Sequence, residues 1–425
     1  MSSEQTAGEV REPARENSGP PPENSGPPPE KSGPLCGVRV VELAMFAAGP
    51  VVGALLADWG AEVIKVESLE GDPFRFMEGK QAEDFITSQL DNRGKQSLAV
   101  DLAKAEGTRI VVDLIGTADI FVTSLRQQAL AKFGLSYDAL RVAHPRLVYG
   151  LLTGYGTKGA DIERPAFDAG TWWGRGGVAR TILSDDAIPL FHAGAIGDHT
   201  TGMALLSGLC GALYSRERTG LGQMVEVSML RSAAFFLSST LTSQLNGRPQ
   251  RKTARADTAN MMVLPYKARG GGWFYLLGAQ GDRIWSQLMR AVGRPEWAED
   301  PDYNSAAARA ARRAEVVGAL DEIFATRTRD EWAPIFDREG VWWTPIQSIS
   351  ELEHDAQMRA AGCFMSVETR WGPKRMVPGP VDFYGTPWQV PRGSPPVGGN
   401  NEAILRELGS SADDIERLRA AGVIR

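Results

Sequence analysis

Gly197-Asp198-His199-Thr200-Thr201-Gly202-Met203, near the middle of the chain, gathers groups able to do chemistry. A carboxylate follows a glycine and precedes a histidine and two threonines, just ahead of a helix expected over roughly Met203 to Arg216. Two readings are open. Asp at a helix start commonly caps the first turn by accepting backbone N–H bonds. The same carboxylate, reached past a glycine and flanked by free N–H groups that hold developing negative charge, can serve as a covalent nucleophile.

Other motifs narrow the choice. Gly154-Tyr155-Gly156-Thr157-Lys158-Gly159 spells G-x-G-x-x-G after a strand, but Asp161-Ile162-Glu163-Arg164-Pro165 follows where a dinucleotide fingerprint needs a helix. The glycines therefore read as a loop over a crevice, and no nicotinamide cofactor is expected. Trp172-Trp173-Gly174-Arg175 reads as interface packing or as the wall of a bulky acyl site, with Arg175 near an acceptor carboxylate. His192 and His199 lie near Asp198 and read as structural or solvent-facing. Cys36, Cys210 and Cys363 are too far apart for a metal or disulfide framework, which points to a reducing cytoplasm.

The elements that must position Asp198 follow from apolar patterning. Val38 to Leu43, Glu62 to Glu67, Ser97 to Asp101, Ile120 to Thr123 and Leu147 to Leu152 read as strands, with helices over Val51 to Trp59 and Ala105 to Ile115. Alternating apolar strands and helices imply an open, doubly wound α/β sheet that binds ligands at its strand ends. After Arg251 the texture changes to a hairpin within Met261 to Leu277, then helices near Ile284 to Val292, Ala314 to Thr326 and Arg329 to Glu339. Two amphipathic helices, Asn401 to Leu408 and Ala412 to Ala421, close the chain. The expected division is a proline-rich tail over 1–34, a large domain over 35–225, a linker and small α+β domain over 226–347, and a return to the large domain over 348–425.

Composition bounds the partners. A chain of 425 residues with net charge −6, from 46 basic and 52 acidic residues, is long for one core and argues against nucleic acid or an anionic membrane as partner. No apolar run reaches the roughly 18 residues of a membrane span, and the N-terminal residues lack a signal-peptide core. Glu16-Asn17-Ser18-Gly19-Pro20-Pro21-Pro22 repeats from Glu23 and then decays, a composition that cannot bury a core.

From Leu35 onward the chain resembles the class III coenzyme A-transferases, a family that also includes the α-methylacyl-CoA racemases. The resemblance rests on Leu35 to Glu42 running on to Ala48-Gly49-Pro50, on Leu56 to Glu67, on Gly71-Asp72-Pro73, on Gly197-Asp198 with Thr201-Gly202-Met203, and on Thr219 to Gln223 with Val225 to Ser228. It implies an interlocked, ring-like homodimer with a Rossmann-like large domain built from both chain ends and a smaller domain between. CoA and acyl-CoA would be substrates, with no permanently bound cofactor or metal. Asp198 matches the family nucleophile. Ala47, Ala48, Arg75, Arg93, Val100, Asp101, Ser124, Leu125, Arg126, Lys132, Phe167 and Asp168 match CoA-proximal positions or are basic candidates nearby, with Lys95 beside them. Ala47 stands where a glutamine is frequent, and Ser68 where an arginine can bind CoA. Phe167 stands where a racemase carries histidine, so transfer is favoured over α-proton exchange; a non-catalytic scaffold recruited through the proline tail is the other alternative.

Overall fold

The computed structural model describes residues 33–77, 85–183, 187–189, 191, 194–249, 255–258, 260–279 and 281–425. The proline repeats and His192 lie outside them.

The chain order opens with β1 (Arg39–Leu43), α1 (Pro50–Asp58), β2 (Glu62–Glu67), α2 (Ile86–Asn92), β3 (Gln96–Ala99), α3 (Ala105–Gly116) and β4 (Ile120–Thr123). It continues with α4 (Gln127–Lys132), α5 (Tyr137–Ala143), β5 (Val148–Thr153), α6 (Val178–Thr181), α7 (Ile196–Thr219), β6 (Met224–Ser228) and α8 (Met229–Phe236). A π-helical segment, Asp168–Arg175, lies between β5 and α6. All six strands are parallel in the order β3-β2-β1-β4-β5-β6. That is the doubly wound order, which reverses direction between β1 and β4.

Alternate residues of each strand feed opposite cores, because side chains on a strand point to opposite faces. Val41, Ile64, Val66 and Phe121 pack on one face with Val111 and Leu114 of α3 and with Ile404, Leu405, Ile415 and Leu418 from the chain's end. Val40, Val63, Ile120 and Val122 pack on the other with Val52 and Leu55 of α1 and Leu205, Leu206 and Leu209 of α7. The C-terminal helices are tied to β3 by polar bonds as well: Ser97 N–H donates to Asn400 Oδ1 at 3.0 Å and Ala99 N–H to Asn401 Oδ1 at 2.8 Å. The chain's end thus packs against the first sheet.

A second, antiparallel sheet comprises β7 (Pro265–Lys267), β8 (Trp273–Leu276) and β9 (Trp343–Ile346). Its core holds Phe274, Trp285, Phe324, Trp332 and Phe336. A two-stranded hairpin, β10 (Met365–Thr369) and β11 (Gly372–Met376), precedes the final helices. Two features depart from expectation. β6 pairs with β5 through Met224 to Ser228, so the boundary placed at 225/226 falls inside a strand of the large sheet. β9 joins the hairpin as a third strand and is too short and mixed to show periodicity.

Candidate active site

In doubly wound sheets ligands bind at the carboxyl ends of the strands, at the point where strand order reverses. Here the chain leaves β1 through Ala44 to Gly49 and leaves β4 through Ser124 to Arg126, so both loops meet at that point. Ser124 Oγ accepts from Met45 N–H at 3.3 Å and links them. A crevice of about 540 Å3 opens there, lined by Leu43, Met45, Ser68, Val100, Asp101, Leu125 and Phe133 among others. Val100, Asp101 and Leu125, singled out from sequence, therefore share one wall. Arg126 and Lys132 are exposed at the two ends of α4, with Lys132 Nζ 5.6 Å from the centre of the Phe133 ring. Ala47 and Ala48 are buried beside α1.

The loop after β1 is strained. Phe46 has φ +63°, the only positive value at a non-glycine among the described residues. Such backbone costs on the order of 1 kcal/mol and persists only where its surroundings impose it. Here Phe46 N–H donates to Asp72 Oδ1 at 3.2 Å, and its ring meets Phe167 edge-on at 5.7 Å. Phe167 itself is 60% exposed.

Arg75 and Arg93 do not line this crevice. Arg75 is 1% exposed, held by Glu67 at 2.8 Å and donating to Ser394 and Pro395. Arg93 is 2% exposed and ion-paired with Asp58 at 2.5 Å. Their carboxylate partners lie 8 and 35 residues away in sequence, so composition could not reveal that both guanidinia were spoken for. Lys95 is likewise buried, 2.8 Å from Glu42. Arg175 is paired with Asp161 and sits 4.9 Å from the Tyr155 ring. It does not await an acceptor carboxylate.

Asp198 corrects the capping reading. α7 begins at Ile196, seven residues before the expected start, and Ala195 occupies the N-cap position with no side-chain capping bond. Asp198 is the third residue inside the helix. Its two threonine neighbours turn their hydroxyls onto the helix, Thr200 to Ile196 O at 2.6 Å and Thr201 to Gly197 O at 2.7 Å. Two glycines let α7 press against its surroundings. A Cβ on Gly197 would stand 2.1 Å from Asp168 Oδ1 and 2.4 Å from the Trp172 ring. A Cβ on Gly202 would stand 2.4 Å from Val51 of α1 and 2.9 Å from Ala48 O. So Gly202 brings the start of α7 to the loop that carries Ala47 and Ala48, and Gly197 brings it to Asp168.

Asp168 and Asp91 act on Asp198 by charge, and the half-buried imidazole of His199 opposes them. Burial, then the Asp168 charge, push the Asp198 carboxyl up to about 7, while His199 opposes them and Asp91 adds to them. The helix N-terminus favours the anion at this position. Asp91 is fully buried on α2, and its carboxylate meets His199 Nε2 at 3.1 and 3.4 Å. That pair escaped sequence reasoning because its members stand 108 residues apart. Trp172 is 0% exposed and packs at 5.0 Å on Phe236, so it is a wall behind α7, not a face open to ligand.

A family model described as CoA-transferase family III matches residues 35–401. The chain belongs to CoA-transferase family III. As a class III CoA-transferase it acts on CoA thioesters, which suits a crevice at the sheet's switch point. It is 33% identical to the cinnamoyl-CoA:phenyllactate CoA-transferase of Clostridium sporogenes over 90% of this chain and 95% of that one. It is 32% identical to the succinate–glutarate CoA-transferase of Agrobacterium fabrum, over 88% and 95%. Among solved structures, a CAIB/BAIF family protein from Brucella suis superposes with TM-score 0.79 at 29% identity, covering 89% of this class III CoA-transferase and all of the other chain.

Proposed function

We propose that this class III CoA-transferase moves CoA from an acyl-CoA to a free carboxylic acid through a thioester on Asp198. The supporting observation is the place of the half-buried Asp198 in the first turn of α7, which Gly202 holds against the loop after β1, next to like charges that push its carboxyl up. A carboxylate oxygen of Asp198 attacks the thioester carbonyl, and the C–S bond breaks to leave a mixed anhydride and CoA thiolate. The thiolate then attacks the Asp198 carbonyl, forming the aspartyl-CoA thioester and expelling the donor acid. The acceptor carboxylate attacks that thioester, releasing thiolate again, which takes the acceptor acyl group from the new anhydride and frees Asp198. Every intermediate stays at acyl-transfer energy, so the thioester survives only where water is excluded.

CoA lies along Ala47, Ala48, Val100, Asp101, Ser124 and Leu125, with Arg126 and Lys132 as its phosphate contacts. Arg75 and Arg93 hold the floor from behind. Phe46 and Phe167, edge to face at the mouth, supply an aromatic wall for bulky acyl groups. One relative is named for cinnamoyl-CoA and phenyllactate, and another, from Clostridioides difficile, for (R)-2-hydroxy-4-methylpentanoate. The working form is the interlocked homodimer in a reducing cytoplasm. Its interface takes the apolar groove lined by Met203 and Ala204 of α7 and by Phe235, 81% exposed, and Phe236 of α8. No disulfide joins the three cysteines, and no described helix is long and apolar enough to cross a membrane.

A panel of acyl-CoA donors and carboxylic acids, read by mass spectrometry, tests the exchange. Hydroxylamine after donor loading should convert Asp198 to a hydroxamate; a label on another residue overturns the mechanism. Rapid α-hydrogen exchange of a 2-methylacyl-CoA in heavy water would instead require a base that Phe167 cannot supply.

A further inference from the structure

His199 follows the reacting aspartate directly, in the first turn of α7, where the helix end disfavours a cation. Yet its ring is gripped from another element. Asp91 of α2 is fully buried and presents both oxygens to Nε2, at 3.1 and 3.4 Å, while the side chain of His199 is 36% exposed. A buried carboxylate aimed at an imidazole fixes the ring's orientation and favours its protonated form.

The groups facing His199 can be named from each side. Asp91 faces it from α2 and Asp198 adjoins it on α7, and Arg93, just beyond α2, acts on it as an opposing cation. Burial works against the imidazolium, but the Asp91 bond and the two carboxylate charges outweigh it and hold its pKa above the ordinary value. Asp168 from the π-helical segment adds a third carboxylate against Asp198.

We propose that His199, oriented and kept protonated by Asp91, is a positioning residue whose charge keeps Asp198 ionised and therefore nucleophilic. The inference rests on the proposed transfer chemistry at Asp198. The Asp198 oxygen that attacks must carry its electron pair free of a proton, and the adjoining imidazolium opposes the Asp168 and Asp91 charges that favour protonation there. His199 touches neither CoA thiolate nor acyl group in this role and moves no proton during turnover; it sets the resting charge.

The test is the pH dependence of kcat/KM in the full-length enzyme, for wild type and for H199Q, H199K and D91N. His354, exposed on another segment, provides the H354Q control. H199Q is expected to lose at least tenfold at pH 6.5 and to regain most of it by pH 9, its acid limb moved upward by about one unit. D91N should move the limb the same way by a smaller amount, H199K should hold it near the wild-type position, and H354Q should leave it in place. Loss by H199Q that is uniform across pH, or an unmoved acid limb with unchanged melting temperature, overturns the proposal. Hydroxylamine labelling keeps the two readings apart. If wild type forms no Asp198 hydroxamate, the transfer mechanism fails; if it does and the H199Q limb stays put, only the role of His199 fails.

Discussion

Two clusters of buried charge flank α2, and they are built on opposite principles. Behind β1 and β2, Glu42, Glu67 and Asp72 meet Lys65, Arg75 and Lys95, all no more than 6% exposed. Lys65 Nζ lies 3.2 Å from Glu42 and 2.9 Å from Asp72, Lys95 lies 2.8 Å from Glu42, and Arg75 lies 2.8 Å from Glu67. Asn92 at the end of α2 accepts from Lys95 at 3.0 Å. One residue earlier on the same helix, Asp91 serves the other cluster, where it grips His199 and where Asp168 and Asp91 act by charge on Asp198. In the first cluster burial drives the acids up, yet the cations beside them win and hold Glu67 and Asp72 below the ordinary range. In the second, burial and a neighbouring acid act together, and Asp198 is pushed up to about 7. Buried charge by itself therefore does not mark a site: the first cluster is buried and paired, whereas Asp198 is raised by burial and by Asp168 together. The balanced cluster pins the β1 loop through Asp72 and Phe46, so it builds the site without entering the chemistry.

The sharpest way to break this contrast is to remove the unbalanced acid. Asp198→Asn keeps the side chain's shape and forfeits no capping bond, since none exists. Transfer should fall on the order of 10^4-fold or more, as for loss of other covalent nucleophiles, while CoA binding by calorimetry stays within a few-fold. Near-normal turnover would return Asp198 to a structural role.

Next in size is a break in the balanced cluster. Glu42→Gln leaves Lys65 and Lys95 without their shared carboxylate, in a place water does not reach. Removing one member of a buried ion pair costs about 3–5 kcal/mol. Denaturant melts should show that loss, and activity should fall only as the folded fraction falls. A stable Glu42→Gln enzyme with no activity would erase the distinction between the clusters.

Packing offers an intermediate test. Gly197→Ala puts a methyl where Asp168 Oδ1 and Trp172 already stand. Overpacking of this kind costs about 1–3 kcal/mol, and it displaces Asp168 from Asp198, so the acid limb of the pH–rate profile should shift as well. An unchanged profile would mean that Asp168 does not act on the nucleophile.

How much of this was legible beforehand differs between the clusters for physical reasons. The strands around the ion cluster announce themselves as short apolar runs, and β2 and β4 fall on the residues expected. The start of α7 does not, because Gly197, His199, Thr200, Thr201 and Gly202 are poor helix formers; tertiary contact with Trp172, Ala48 and Val51 overrides their propensity. Arg75 and Arg93 look like ligand contacts in sequence because a guanidinium's partner is set by the fold, not by its neighbours. Val100, Asp101 and Leu125 were named by family resemblance, and the strand order accounts for their lining one crevice. The pairing of Asp91 with His199 leaves no mark in spacing.

The smallest effect expected is also the one that separates the clusters most cleanly, because it concerns stability and not rate. A carboxyl whose folded pKa stands at about 7, against an ordinary 3.8, binds an extra proton on folding between those values. Folding is then favoured by protonation, so this contribution is fully present below about pH 4 and is lost as pH rises through 7. His199 drifts the same way, since its folded value is also raised, but it keeps Asp91 as partner in either protein. Asp198→Asn cannot titrate and escapes the loss at that position. It should match the wild type near pH 4 and exceed it at pH 8 by on the order of 1 kcal/mol, discounted for the solvent that reaches this half-buried group. No such crossing is expected on replacing an acid of the balanced cluster, where the folded form gains from ionisation. Thermal melts of Asp198→Asn and wild type across pH 4 to 8 decide it: a gap that opens with rising pH means Asp198 is held against its own stability for the sake of reactivity, and a constant gap means the acid cluster costs the fold nothing.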